Sequence, residues 1–216
     1  MHRPPANPKI YHITHLENLR TMVADGCIWS DRLIPGRQPD KKCIGLGNIK
    51  HRRLNVTEVV CHQGTKVGDY VPFYFCPRSV MLYMIYRGNF PGLPYTDGQE
   101  KIVHLQADLR SVVSWADANS VRWAFTTGNA GASYVEFFNS LDDLGMVNWP
   151  AVQTDRWGDP MIKEGKQAEY LLCDSLPFEL IEEIGVIDDR IRRLVLEVLG
   201  SGKFQAVTNV HRNWYY

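Results

Sequence analysis

The spacing of apolar residues predicts a strand followed by a helix at the start of the chain. Residues 10–15 form a short run of β-branched and aromatic side chains, typical of a strand with His12 and Thr14 on one polar face. In residues 16–25 the apolar side chains fall three and four positions apart and Gly26 follows, which predicts an amphipathic helix ending at the glycine.

The same patterns place further elements along the chain. Ser79 can accept a hydrogen bond from the first turn of a helix predicted at residues 80–87. Extended apolar runs predict strands at 27–30, 67–75, 102–105, 121–126, 166–173, 184–187 and 205–210, and helical periods predict helices at 134–144 and 188–199. Strands and helices interleave without a regular βα repeat, so we expect one mixed α+β domain over residues 1–216.

A long connection and one acidic side chain stand out from this pattern. Residues 127–165 join two predicted strands with little predicted regular structure, and a connection of that length in a compact domain is usually functional. Glu169 then interrupts the strand-like run at 166–173. Burying its ionised carboxylate costs several kcal/mol unless the charge is paired, so it faces solvent, meets Arg or Lys, or lines a polar cleft. Alternation alone favours the solvent-facing position.

Glycine and basic residues cluster between residues 44 and 54. Gly45 and Gly47 suggest a phosphate-binding loop, but the third glycine and the strand–helix context of a dinucleotide-binding motif are missing. The basic run 50–53 is either a solvated turn or an element that binds a diphosphate or a nucleic-acid backbone.

Composition adds bounds on environment and cofactors. The 216 residues are 44% hydrophobic and 22% charged with a formal net charge of zero, which is ordinary for a folded globular protein. Five cysteines without a C-x-x-C pair argue for a reducing compartment and against a zinc site. With no apolar run long enough to span a membrane, we expect a cytoplasmic protein that needs no metal.

Three sequence motifs together resemble one protein family. Tyr-His-Ile-Thr-His at 11–15, Asp-Tyr-Val-Pro-Phe-Tyr-Phe-Cys-Pro-Arg-Ser at 69–79 and Lys-Gln-Ala-Glu at 166–169 occur in this order in the DarT family, and the likeness extends to the terminal Trp-Tyr-Tyr. DarT proteins are DNA ADP-ribosyltransferase toxins of bacterial toxin–antitoxin pairs. The resemblance implies the ADP-ribosyltransferase fold, in which two splayed β-sheets and surrounding helices form a cleft for NAD. It also implies sequence-dependent transfer of ADP-ribose from NAD to a base of single-stranded DNA, thymidine in this branch, with release of nicotinamide.

The resemblance also implies roles for individual residues. Glu169 and Arg53 match the catalytic pair, residues 37–54 match the element that closes over NAD, and residues 125–169 match the loop that presents DNA. The positions that match the NAD-binding cleft are His12, Ile13, Thr14, Thr21, Trp29, Arg53, Tyr74, Arg78 and Met81.

Partners follow from the same resemblance. We expect NAD as co-substrate, single-stranded DNA as acceptor and a macrodomain antitoxin that removes the modification. The alternatives keep the fold but move the acceptor to guanosine in DNA, to RNA or to protein, or make the chain a non-catalytic module that binds NAD or single strands.

Overall fold

The computed structural model describes residues 2–38, 40–155, 158–200, 204 and 206–216. These ranges contain ten strands: β1 (Lys9–His15), β2 (Cys27–Trp29), β3 (Tyr70–Tyr74), β4 (Ile102–Asp108), β5 (Trp123–Thr126), β6 (Phe137–Phe138), β7 (Glu169–Cys173), β8 (Ser175–Pro177), β9 (Glu183–Val186) and β10 (Val207–Val210). They also contain eight α-helices: α1 (Leu16–Asp25), α2 (Ile34–Arg37), α3 (Gly47–Asn55), α4 (Val80–Arg87), α5 (Leu109–Ala118), α6 (Trp149–Gln153), α7 (Pro160–Gly165) and α8 (Asp189–Leu199). Gln205, assigned above to the last strand, lies outside the described residues.

The strands form one large sheet with a weak junction in its middle. Its order is β10-β9-β4-β1-β3-β7-β5-β6, and β2 pairs with β8 in a separate small sheet. β1 pairs with β4 along its whole length, but it meets β3 at the single pair Tyr11–Tyr74. The α+β class and the ADP-ribosyltransferase architecture are confirmed, and the two halves of the large sheet separate on either side of that pair.

Local capping chemistry sets the ends of the first helix and of α4. α1 ends at Gly26, whose φ of 71° is left-handed and therefore suits glycine. Ser79 caps α4, because its Oγ accepts from the Leu82 N–H at 3.2 Å. Both predicted helices are confirmed.

Two sequence-based predictions were wrong in the middle of the chain. The predicted helix at 134–144 is instead β6 followed by a 3₁₀ helix, Leu141–Met146. Phe138 stacks on Phe125 with ring centroids 5.3 Å apart, so pairing with the sheet overrides the local helical period. The 127–165 connection is also more regular than expected, since it contains that 3₁₀ helix, α6 and α7.

The core covers both faces of the central strands. Val103 and Leu105 of β4 belong to the main cluster beneath α1, α5 and α8. Ile102, on the opposite face, packs with the C-terminal Trp214. In the part of the chain that the structure describes, no helix has both the length and the apolar character needed to cross a membrane.

His104 is a buried histidine of this core. Its ring shares a 3.0 Å hydrogen bond with the Pro77 carbonyl, which can only accept, so Nε2 carries the proton. Burial lowers the pKa of His104 from 6.5 to about 4.

A pH-dependent loss of stability is the expected consequence. Between pH 6.5 and 4 the unfolded chain binds a proton at His104 that the native chain does not, so the free energy of unfolding falls as pH falls through this window. From pH 6.5 to 5 the loss due to His104 is about 2 kcal/mol. Urea unfolding at pH 6.5 and pH 5 measures the difference in the free energy of unfolding between the two pH values. In His104→Gln, whose amide can still donate to Pro77, this difference should be smaller than in the wild type by about 2 kcal/mol. An unchanged difference would contradict the assignment.

Candidate active site

Glu169 is the first residue of β7, and its side chain is only 3% exposed. The solvent-facing position favoured by alternation is therefore wrong. β7 lies between β3 and β5 and is buried on both faces, so alternation along it carries no information about solvent. Of the possibilities given by the sequence, solvent exposure, pairing with Arg or Lys, or a place in a polar cleft, Glu169 pairs with an arginine.

Arg53 binds the Glu169 carboxylate with both terminal nitrogens. The Nη1–Oε1 and Nη2–Oε2 distances are both 2.9 Å, and the Ala130 N–H donates to Oε1 at 3.0 Å. Burial alone lowers the pKa of Arg53, but attraction and hydrogen bonding to Glu169 outweigh it, so this pKa lies above its ordinary value. Arg53 is thus a fixed cation. Oε2 accepts one of these bonds, which leaves it capacity for a further hydroxyl donor.

Arg53 reaches Glu169 because α3 packs closely on the turn before β3. A Cβ on Gly68 would lie 2.7 Å from the Leu54 Cα, so this approach requires glycine. Arg32 holds the end of α3 by donating to the Leu54 carbonyl and, at 2.9 Å, to Asp69. The basic run 50–53 is therefore helical and not a solvated turn.

Thr126, at the end of β5, fixes the backbone of Glu169 from the other side. Its hydroxyl accepts from the Glu169 N–H at 3.0 Å and donates to the Gly128 carbonyl at 2.7 Å. The small-residue turn after β5 thereby brings the Ala130 N–H to the carboxylate.

Replacing Thr126 by valine tests this support. Thr126→Val keeps the side-chain size but leaves a buried N–H and a carbonyl without their partner, so we expect a loss of about 1–3 kcal/mol in the free energy of unfolding. A shifted carboxylate should lower kcat by roughly tenfold or more. Thr208→Val is the matched control, because the buried Thr208 hydroxyl has no hydrogen-bond partner among the described residues. Urea unfolding and single-turnover rates should separate the two variants, and equal effects would count against a supporting role.

A cavity of about 800 Å³ opens from the ion pair. Its volume is in the range of small-molecule and cofactor sites. The predicted site residues that line it are His12, Ile13, Thr14, Arg53, Tyr74, Met81 and Glu169. Tyr74 pairs with Glu169 across β3 and β7 and with Tyr11 at the sheet junction, so the cavity lies where the two halves of the sheet separate. No group of three or more His, Cys, Asp or Glu side chains in the described ranges could hold a metal ion.

Three predicted NAD-binding residues do not line this cavity. Thr21 is exposed on α1, and its hydroxyl bonds the Asn18 carbonyl. Trp29 donates to Asp25 at 2.9 Å, and Arg78 pairs with Asp155 at 3.3 Å. An NAD contact at these positions stays a prediction from the family resemblance.

His12 presents a defined hydrogen-bonding pattern to the cavity. Its Nδ1 lies 2.9 Å from the Pro72 carbonyl, so Nδ1 carries the proton and Nε2 is an acceptor. Burial, together with the positive charge of Lys41, lowers the pKa of His12 to about 4. His12 is therefore neutral near pH 7. Burial, reinforced by the Glu169 charge, also raises the pKa of Tyr74, which keeps its hydroxyl protonated.

Sequence reasoning missed two basic residues of the cavity, Lys41 and Lys42. Both line it together with Lys50, which pairs with Asp31 at 3.0 Å. The sequence pointed to residues 50–53 but gave no reason to single out Lys41 and Lys42 in the preceding stretch. Together with Arg53 these lysines make the cavity suited to an anion.

Comparisons with known proteins give matches that cover nearly the whole chain. A family described as "DarT: ssDNA thymidine ADP-ribosyltransferase, DarT" matches residues 11–216. A DNA ADP-ribosyl transferase of Thermus sp. (strain 2.9) is 36% identical, with 98% of both chains covered. The structure of Thermus sp. 2.9 DarT in complex with ADP-ribosylated ssDNA superposes with a TM-score of 0.87 at 34% identity, covering 100% of both chains. Its complex with NAD+ gives a TM-score of 0.83 at 33% identity, covering 99% of this chain and 100% of that one.

The family match, the full-length relative and the shared fold agree with the buried Arg53–Glu169 pair and its basic cavity. This chain belongs to the DarT family of ssDNA thymidine ADP-ribosyltransferases.

Proposed function

We propose that this enzyme transfers ADP-ribose from NAD+ to the thymine base of single-stranded DNA, with Glu169 and Arg53 as its catalytic residues. The observation that supports the residue assignment is the bidentate Arg53–Glu169 ion pair beside a basic cavity of about 800 Å³. This places a carboxylate and a permanent cation together where a bound dinucleotide can reach both.

The cavity lining suits each part of NAD+. Lys41, Lys42 and Lys50 supply positive charge for the diphosphate. The Nε2 acceptor of His12 and the free capacity of Glu169 Oε2 suit ribose hydroxyl groups.

The reaction exchanges one N-glycosidic bond for another. The bond between nicotinamide and its ribose breaks, and the electron pair leaves with nicotinamide, so positive charge develops on the ribose. The Glu169 carboxylate stabilises that charge from a fixed position. The thymine ring nitrogen forms the new bond to the ribose carbon and releases its proton to water. Arg53 stays protonated and stabilises the negative charge that develops on the base.

The acceptor is unpaired DNA, because a base in a duplex hides its ring N–H in the pair. Because the substrate is DNA, we propose that the enzyme acts in the cytoplasm of the cell that produces it. The family's toxin–antitoxin arrangement leads us to propose a macrodomain antitoxin that removes the modification. A macrodomain reading frame next to the gene, with a product that restores unmodified DNA, would support this.

Parallel labelling of four acceptors tests the function. Purified enzyme with NAD+ is offered a thymidine-containing single strand, a strand whose only modifiable base is guanosine, an RNA of matched sequence, and protein. We expect mass increases of one ADP-ribose only on the first, with equal release of nicotinamide. Modification of another acceptor instead would overturn the thymidine assignment, and NAD+ binding without nicotinamide release would show a non-catalytic module.

A further inference from the structure

A single buried amide bonds the segment that carries two of the cavity lysines to the first helix. The Lys42 N–H donates to Asn18 Oδ1 at 2.8 Å, and Asn18 Nδ2 donates to the Lys42 carbonyl at 2.9 Å. Asn18 is 3% exposed and lines the cavity. The two bonds run in opposite directions between one side-chain amide and the backbone of one residue, so they fix the position and the orientation of Lys42. We call this pair of bonds the Asn18 clamp.

The Asn18 amide uses both of its N–H groups within the protein. Nδ2 donates to the Lys42 carbonyl and also to Thr14 Oγ1 at 3.1 Å. Thr14 belongs to β1, Asn18 to α1 and Lys42 to the segment that precedes α3, so one side chain connects three parts of the cavity wall. With its donors occupied in this way, Asn18 acts on a bound dinucleotide through these neighbours.

The segment held by the clamp brings positive charge into the cavity. Lys41 and Lys42 both line it. Burial and then the positive charge of Lys41 lower the pKa of His12, so the Lys41 ammonium lies close to that imidazole. The clamp therefore holds the backbone of Lys42 and of the residue before it, whose charge reaches the site.

The other contacts of this segment are less suited to hold the lysines. Residues 40–46 belong to no helix or strand, so side-chain contacts must fix their backbone. Glu17 and Lys42 form an ion pair at 3.7 Å, but both side chains reach solvent, and such a pair contributes little. Gln38 donates to Asp25 at 2.8 Å, which holds the start of the segment. The Asn18 clamp is buried and lies at the lysines themselves.

We propose that Asn18 is a positioning residue that sets the affinity for NAD+ by holding Lys41 and Lys42 where the diphosphate binds. This inference rests on the proposed function, which assigns the diphosphate to these lysines. Without the clamp, the segment has to become ordered when NAD+ binds, and the cost of that ordering weakens binding.

The chemical step should be affected much less than binding. The Glu169 carboxylate is held by Arg53 and by the Ala130 N–H, and its backbone is held by Thr126. None of these bonds involves Asn18, so NAD+ that has bound should react at nearly the wild-type rate.

An alanine variant with a matched control tests the clamp. Asn18→Ala should raise the KM and the dissociation constant for NAD+ about tenfold and change kcat by less than about twofold. Gln99 is also 3% exposed, and its amide makes the same two opposite bonds with the backbone of Tyr216, outside the cavity. Gln99→Ala should lower the urea midpoint about as much as Asn18→Ala does, but it should keep the wild-type KM.

A second variant covers the case in which Asn18→Ala does not fold. Asn18→Asp keeps the size of the side chain and the acceptor for the Lys42 N–H, but it places an oxygen against the Lys42 carbonyl. NAD+ affinity should therefore fall in this variant as well. A folded Asn18→Asp enzyme with wild-type affinity would contradict the proposal.

Removing the lysine side chains shows whether Asn18 acts through them. In a Lys41→Ala/Lys42→Ala enzyme, adding Asn18→Ala should weaken NAD+ binding by less than about twofold, because an ordered segment no longer gains contacts with the diphosphate. A further tenfold loss in that background would mean that Asn18 acts by another route, such as Thr14, and would overturn the proposal.

The remaining outcomes separate the clamp from general stability and from the proposed function. A fall in kcat as large as the rise in KM, or an equal rise in KM for Gln99→Ala, would overturn the positioning role. NAD+ titration needs no DNA, so the proposed function can fail on its own. A wild-type enzyme that binds NAD+ and shows the Asn18 effect but modifies no thymidine would overturn that function while supporting the clamp.

Discussion

Glu169→Gln is expected to lower kcat/KM for DNA modification by about a thousandfold. Glutamine keeps the size of the side chain and can still accept from Ala130 and Arg53, but it removes the negative charge that faces the developing positive charge on ribose. NAD+ should still bind, because the lysines of the cavity remain. Single-turnover rates and NAD+ titration measure the two effects separately.

The same substitution should also reduce stability, and this has to be separated from catalysis. Arg53 is 12% exposed in its side chain and would lose its counter-charge, which costs about 3 kcal/mol in comparable buried pairs. Glu197→Gln, on the exposed face of α8, is the matched control. Activity within tenfold of wild type in a folded Glu169→Gln enzyme would rule out a catalytic Glu169.

Elements defined by local chemistry could be predicted from the sequence. α1 carries its own hydrophobic period and its own terminal glycine, and α4 carries its own serine cap. Both predictions are correct because each helix end depends on residues within a few positions of the element. The family motifs likewise marked His12, Tyr74 and Glu169, which the structure brings to one cavity.

Features that depend on distant partners could not be predicted. Glu169 is buried because Arg53 of α3 and the turn at Ala130 cover its carboxylate on a strand that is buried on both faces, and no pattern within residues 166–173 encodes that. The 134–144 segment has a helical period, but stacking of Phe138 on Phe125 in the sheet stabilises the strand more than the local period stabilises a helix. α5 is a miss of another kind, because its signals are local: Asp108 caps it with its carboxylate, and this cap was overlooked.

The weak pairing between β1 and β3 determines where the cavity and Glu169 lie. Because β1 and β3 pair only at Tyr11–Tyr74, the polar groups of His12 and Pro72 beyond that pair bond each other and line the cavity. The Tyr74 partner on β7 is Glu169, so the carboxylate lies beside the point where the sheet opens. A single weak strand pairing therefore provides both the space for a dinucleotide and the position of the carboxylate proposed to be catalytic.

Arg53→Lys is expected to lower kcat by about a hundredfold, although the positive charge is kept. A lysine ammonium cannot reproduce the two parallel 2.9 Å bonds to Oε1 and Oε2, so it positions the carboxylate less firmly. Its compact charge also stabilises the negative charge on the acceptor base less well than the delocalised guanidinium does. KM for NAD+ should change much less, since the lysines proposed to hold the diphosphate are unchanged.

The double variant Arg53→Lys/Glu169→Gln decides whether the pair works as one unit. Groups that act together lose most of their effect when either is changed, so the double variant should be only a few-fold slower than Glu169→Gln alone. Lys66→Arg, in the exposed ion pair with Glu58, serves as a control for exchanging one basic residue for another. Rates from single-turnover reactions at saturating NAD+ give the comparison. If the two single losses multiply, Arg53 and Glu169 contribute to separate steps, and the role of Arg53 in stabilising the base anion must be independent of its bond to Glu169.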